Sequence, residues 1–180
     1  MSGRGRKPAK RRSVCGLAAC LLAGGLAACA PGAGGPAVFD VGKNQQYFTK
    51  GTVSIGGRAP VVLLGNVPGA DAAAFIATLR SPGYQAPVRF ELATGPAAAV
   101  AQSAGFRFVF AFGASDNTRL CTAPSAGGGS GVIAAALCNG GDTVTRATLR
   151  LGGARVEDGL PSLMRTLMPR PTRTNNDSPN

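Results

Sequence analysis

Phe106, Phe108, Phe110 and Phe112 recur at every second position, a spacing that no helix can gather on one side. Period-two alternation puts one face of a strand in a core and the other in solvent. The run therefore predicts a half-buried strand, with Arg107, Val109 and Ala111 on the outer face. Two further runs alternate in the same way. Val88, Phe90 and Leu92 oppose Arg89 and Glu91, and Leu149 and Leu151, with Thr145 and Ala147, oppose Val144, Arg146, Thr148 and Arg150.

Between these runs the turn residues set the order of elements. Val132 to Cys138 is apolar on both faces and is followed by Asn139-Gly140-Gly141-Asp142, so it reads as a central strand hairpinned to Thr143–Leu151. Gly51–Ile55 and Pro60–Leu64 flank Gly56-Gly57-Arg58-Ala59 as a second hairpin. Helices are expected at Asp71–Leu79, capped by Asp71, and at Pro161–Met168, with Asp158 or Gly159 near its start. These elements predict an α+β domain: an antiparallel sheet of about five to six strands with two short helices on one face. The expected boundaries are a leader over 1–28, a Gly/Pro/Ala tether over 29–46, one domain over 47–168 and a disordered polar tail over 169–180.

The formal charge of +11 suggests a nucleic-acid binder until the charges are located. Six of the 19 basic residues (Arg4, Arg6, Lys7, Lys10, Arg11, Arg12) precede an uncharged apolar run, Val14 to Leu26, and all eight acids follow residue 39. Removing those six lowers the charge from +11 to +5. Basic stretch followed by short apolar run is the order of an export signal, and the run is short of the roughly 20 residues a spanning helix needs. No nucleic-acid partner is expected. Ser2-Gly3-Arg4-Gly5-Arg6-Lys7 is similar to histone tails and minor-groove hooks, but a leader accounts for its charge.

The apolar run ends in Leu26-Ala27-Ala28-Cys29, which resembles the lipobox of bacterial lipoproteins. The resemblance implies that the leader is cut before Cys29, that the Cys29 sulfur carries a diacylglyceryl group, and that the new amine is acylated. Small side chains suit a peptidase groove, and a thiolate is a strong nucleophile for the lipid. Two or three chains anchor firmly where one binds only marginally. Leu17-Ala18-Ala19-Cys20 repeats the four letters, but cleavage there would leave an apolar run shorter than about seven residues. Arg11-Arg12-Ser13-Val14 is similar to a twin-arginine motif, so both export routes stay open. Ala30 after the Cys implies, by the lipoprotein rule, the outer membrane in a host with two membranes.

Within the body, Cys121 and Cys138 are the only pair left, and an oxidising envelope predicts a disulfide between them. Arg89, Arg107, Arg146 and Arg150 would share one side if their strands belong to one sheet, giving a face for an anionic glycan or lipid head group. The absence of His removes the commonest general base and metal ligand, and two Cys cannot complete a zinc site. The glycines at 127–131 lack the Lys-Ser or Lys-Thr of a phosphate loop. Gln102-Ser103-Ala104-Gly105 is half a nucleophile elbow, and Lys43 and Lys50 sit in no S-x-x-K spacing. Glu91 and Asp142 are the body acids that could meet as a glycosidase pair, though nothing local joins them. The expectation is a membrane-anchored envelope lipoprotein without cofactor or metal, a binding or structural module rather than an enzyme. Its partner would be an envelope protein or an anionic glycan or lipid. The alternative is a hydrolase without a familiar motif.

Overall fold

A computed structural model describes residues 34–49, 57–94 and 105–170. Six strands form one sheet: β1 (Ala37–Lys43), β2 (Gly57–Leu64), β3 (Val88–Leu92), β4 (Phe106–Phe112), β5 (Val132–Asn139) and β6 (Asp142–Arg150). Helix α1 (Gln45–Thr49) follows β1, α2 (Ala72–Thr78) joins β2 to β3, and α3 (Val156–Leu167) follows β6. The α+β class expected from the sequence is the class the chain adopts.

The spatial order is β1-β6-β5-β4-β2-β3, and the sheet is mixed rather than wholly antiparallel. The β1–β6, β6–β5 and β5–β4 pairings are antiparallel, whereas β2 runs parallel to both β3 and β4. For β2 and β3 the cause is the connection through α2, since a helical crossover returns the chain in the same direction. The expected early hairpin is corrected accordingly. Gly57, Arg58 and Ala59, read as its turn, lie inside β2 and pair with Val88, Arg89 and Phe90, and the other arm lies outside the described residues.

The later hairpin forms as expected. Residues Ile133 to Cys138 of β5 are buried on both faces, and Gly140 takes a positive φ of 56° at the turn. An irregularity between Leu137 and Cys138 brings Val144 into the helix-side core. Helix α2 starts at the predicted cap, where the Asp71 carboxylate accepts from the Ala74 N–H at 2.7 Å. Helix α3 starts earlier than expected, and Pro161 falls inside it. That proline removes one donor, the one that would reach the Glu157 carbonyl, and its ring is exposed. At the start of α3 the Asp158 carboxylate accepts from the Arg155 N–H at 3.2 Å. Gly159 is a packing residue, because a Cβ there would stand 2.7 Å from a Leu149 methyl.

Both longer helices cover one face. Phe75 of α2 meets Phe110 and Phe112 edge-on, with ring centroids 5.3 and 5.2 Å apart. Leu160, Leu163, Met164 and Leu167 of α3 join Ala147 and Leu149 of β6 in the same core. The opposite face was expected to meet solvent along β4. Instead, Arg107, Val109 and Ala111 are buried with Ala134, Ala136 and Cys138 of β5 beneath Leu120, Cys121 and Ala114 from the segment between β4 and β5. Small side chains on this face let that segment lie close.

The tether expected over 29–46 ends sooner, because Ala37 onward pairs with β6 as an edge strand and Val38 packs on the core. This strand is bulged between Phe39 and Gly42, with Asp40 at a φ of 50°. Such an irregular edge resists further strand pairing. The leader and the residues beyond 170 lie outside the described residues.

Candidate binding groove

The predicted site residues fall into three groups. Leu26, Ala27, Ala28 and Cys29 lie outside the described residues. Cys121 and Cys138 are bonded, with Cα atoms 5.5 Å apart, and tie the covering segment to β5. All four arginines project from the sheet face under or beside that segment, as their register requires. They nevertheless do not make one exposed platform.

Arg107 is fully buried, and its Nη1 and Nη2 donate to the Gly140 and Cys121 carbonyls at 2.6 and 2.8 Å. Burial pushes its pKa down from the usual guanidinium range. Arg146 is half-buried against Gly42, where an added Cβ would stand 2.7 Å from its Nε. Arg150 lies over the Phe39 ring, 4.9 Å from its centroid. Arg89 belongs to the far edge, about 19 Å from β6 at the usual strand spacing, and pairs with Glu91 at 3.3 Å. The expected four-arginine face is therefore corrected, because the covering segment takes its central member as a structural donor. Glu91 and Asp142 are likewise separated by the width of the sheet, and the Asp142 carboxylate accepts from the Tyr47 hydroxyl at 3.0 Å.

A concave basic site forms elsewhere, where the connection from α2 to β3 meets the far end of α3. After Leu79 the chain turns through Ser81-Pro82-Gly83-Tyr84, closed by a bond from the Gln85 N–H to the Pro82 carbonyl at 2.8 Å. Proline and glycine in this turn set its backbone. Ser81 Oγ accepts from the Val88 N–H at 2.9 Å, leading the chain into β3. Tyr84 then fastens the turn to α3, its hydroxyl donating to the Met168 carbonyl at 2.8 Å and lying 3.2 Å from that of Arg165. Gln85 Nε2 adds a bond to the Pro169 carbonyl at 3.1 Å.

The staple leaves a groove of about 600 Å³ bordered by the buried Pro82, Leu160 and Met164 and by the exposed ring of Pro161. Thr78, Ser81, Tyr84, Glu157 and three arginines, Arg80, Arg165 and Arg170, complete the lining. A second depression, of about 720 Å³, lies across the turn between α2 and β3. Arg80 donates to the Ala77 and Leu79 carbonyls at 2.5 and 2.8 Å, where the end of α2 favours positive charge. Arg165 reaches Ser162 Oγ at 3.0 Å, and Arg170 lies 5.0 Å from the Tyr84 ring centroid. Burial pushes the Tyr84 pKa above the usual phenol range, against the pull of Arg170 and Arg165, so the hydroxyl remains a donor at neutral pH.

The ion pairs among the described residues are Arg58–Glu91, Arg89–Glu91 and Arg155–Asp158, so none of the three groove arginines is paired with a described carboxylate. Sequence reading missed this site because its members come from three separate segments. The Ser-Pro-Gly-Tyr turn was its one local signal. Compared with protein-family models, with curated proteins and with solved structures, the chain matches none.

Proposed function

We propose that this protein is a lipid-anchored lipoprotein of the cell envelope, whose folded domain is a non-catalytic module binding an envelope protein or an anionic envelope component. The observation that carries the reading is Leu26-Ala27-Ala28-Cys29 at the end of a short apolar run behind a basic stretch. Two features of the fold support it. A Cys121–Cys138 crosslink suits an oxidising compartment. The sheet begins at Ala37, so Ala30 to Pro36 alone separate Cys29 from it, a reach of about 25 Å when fully extended. An anchor there holds the domain close to lipid head groups, and the groove supplies three arginines that pair with no described carboxylate for an acidic partner.

Intact mass of the protein purified from its native membrane tests the anchor. The expected mass corresponds to a chain starting at Cys29 with a diacylglyceryl increment, and Cys29→Ser abolishes that increment. A chain that retains Met1 overturns the proposal.

A further inference from the structure

We infer that the groove between the α2–β3 turn and the end of α3 binds the phosphate group of a small, hydrophilic phosphomonoester, gripped by Arg165, Arg170 and the Ser81 hydroxyl. The inference names the anionic ligand of the binding role proposed above and rests on that reading for its biological setting, although the groove itself is independent of the anchor.

This groove has spent its acceptors and kept its donors. A helix ends in carbonyls that carry partial negative charge and would repel an anion. At the end of α3 those carbonyls are already taken. The Tyr84 hydroxyl meets those of Met168 and Arg165, Thr145 Oγ1 donates to that of Leu167 at 2.6 Å, and Gln85 donates to that of Pro169. Across the turn, the Ala77 and Leu79 carbonyls accept from Arg80, and the Pro82 carbonyl accepts from the Gln85 N–H. Arg165 spends one nitrogen on Ser162 and Arg170 lies over the Tyr84 ring, so both guanidinium groups have N–H groups left to donate. Ser81 Oγ accepts from the Val88 N–H, which leaves its own proton to donate.

Charge and burial select the ligand. Arg80, Arg165 and Arg170 pair with no described carboxylate, and like charges gathered in this way create a positive potential that an anion relieves. Glu157, the acid in the lining, stands two turns before Arg165 on α3, about 12 Å along the axis at 1.5 Å per residue. Arg165 and Arg170 both pull the Tyr84 pKa down against its burial, so the two charges converge around that hydroxyl. A phosphomonoester brings nearly two charges and three acceptor oxygens to such a pair, whereas a carboxylate brings one charge and two oxygens in a plane. Leu160 and Met164 are only 3% and 2% exposed and Pro82 is buried, so these walls already have their apolar partners and add nothing for an alkyl chain. A volume of about 600 Å³ lies within the range of pockets that hold one small molecule.

Full-length ¹⁵N-labelled protein is titrated with glucose 6-phosphate, with inorganic phosphate and with glucuronate. The backbone amides of Gly83, Tyr84 and Arg165 report on the groove. Glucose 6-phosphate is expected to shift them saturably, inorganic phosphate to shift the same amides with equal or lower affinity, and glucuronate to bind at least about tenfold more weakly. Arg165→Glu is expected to lose about tenfold or more in affinity for glucose 6-phosphate. Arg119→Glu makes the same change in charge at an exposed residue of the segment covering the opposite face, and is expected to stay within about twofold of the parent. Each should keep the parent's melting temperature. Arg170→Gln, expected to lose about threefold, decides the question if Arg165→Glu fails to fold. The leader is common to every variant, so its own charge cancels in the comparison. Unmoved groove amides, equal affinity for glucuronate, a response to inorganic phosphate alone, or unchanged binding by folded Arg165→Glu or by Arg170→Gln would each overturn the inference. Failure of the anchor leaves these titrations intact, and failure here leaves the mass of the mature protein unchanged.

Discussion

Arg107 shows how one buried side chain can organise two segments distant in sequence. Its guanidinium bonds the Cys121 carbonyl of the covering segment and the Gly140 carbonyl of the β5–β6 turn. Desolvating the charge opposes folding, whereas leaving two carbonyls without their donors costs about 1–3 kcal/mol for each buried group that water cannot reach. We expect the second effect to win. Arg107→Met should lower stability by about 2 kcal/mol in urea unfolding, with the dependence on denaturant unchanged. A variant as stable as the parent would mean that the desolvation penalty dominates. At this scale the sequence was a poor guide to Arg107. Its place on the outward side of an alternating strand was legible, but its burial was not, because the atoms that cover it come from other segments.

At the scale of elements, the glycine run after Ser125 works as a close-packed strap. Gly127 and Gly129 donate their N–H groups to the Phe112 and Gly113 carbonyls at 3.2 and 3.1 Å. A Cβ on Gly127 would overlap the Gly113 carbonyl, whereas one on Gly128 would meet nothing within 4 Å. Gly127→Ala should therefore destabilise by about 1–3 kcal/mol and Gly128→Ala by close to zero in parallel thermal melts. Equal melting temperatures for the two would remove the strap from the account. The sequence showed that these glycines are no phosphate loop, and the structure shows what they are for. Other elements declared themselves locally. Asp71 caps α2 through its own third following N–H, and Gly140 turns β5 into β6 within four residues. The start of α3 departs from the expectation because Pro161, normally a signal for the first turn, stands further inside.

For the molecule as a whole, the disulfide fastens to β5 the segment that covers the second face of the sheet. The Cys121–Cys138 bond closes a loop spanning 17 residues of sequence separation, for which chain-entropy arguments give about 3 kcal/mol. Replacing both cysteines with serine should cost about that much and expose the β4 and β5 amides beneath the segment to faster hydrogen exchange. Because Arg107 also bonds Cys121, the loss from Arg107→Met should shrink in that background, giving a coupling of about 0.5–1 kcal/mol in a double-mutant cycle. Strict additivity would show that the two contacts hold the segment independently. The sequence by itself determined the α+β class, the alternating strands, the β5–β6 hairpin, the Asp71 helix and the lipobox resemblance. Each of these depends on residues a few positions apart, whose spacing acts through backbone geometry and short-range hydrogen bonds. The parallel pairing of β2 with β3 and β4, the covered second face and the arginine groove were decided only in the tertiary structure. They depend on contacts between segments far apart in the chain, and such contacts are chosen by the burial and hydrogen bonding of the whole fold.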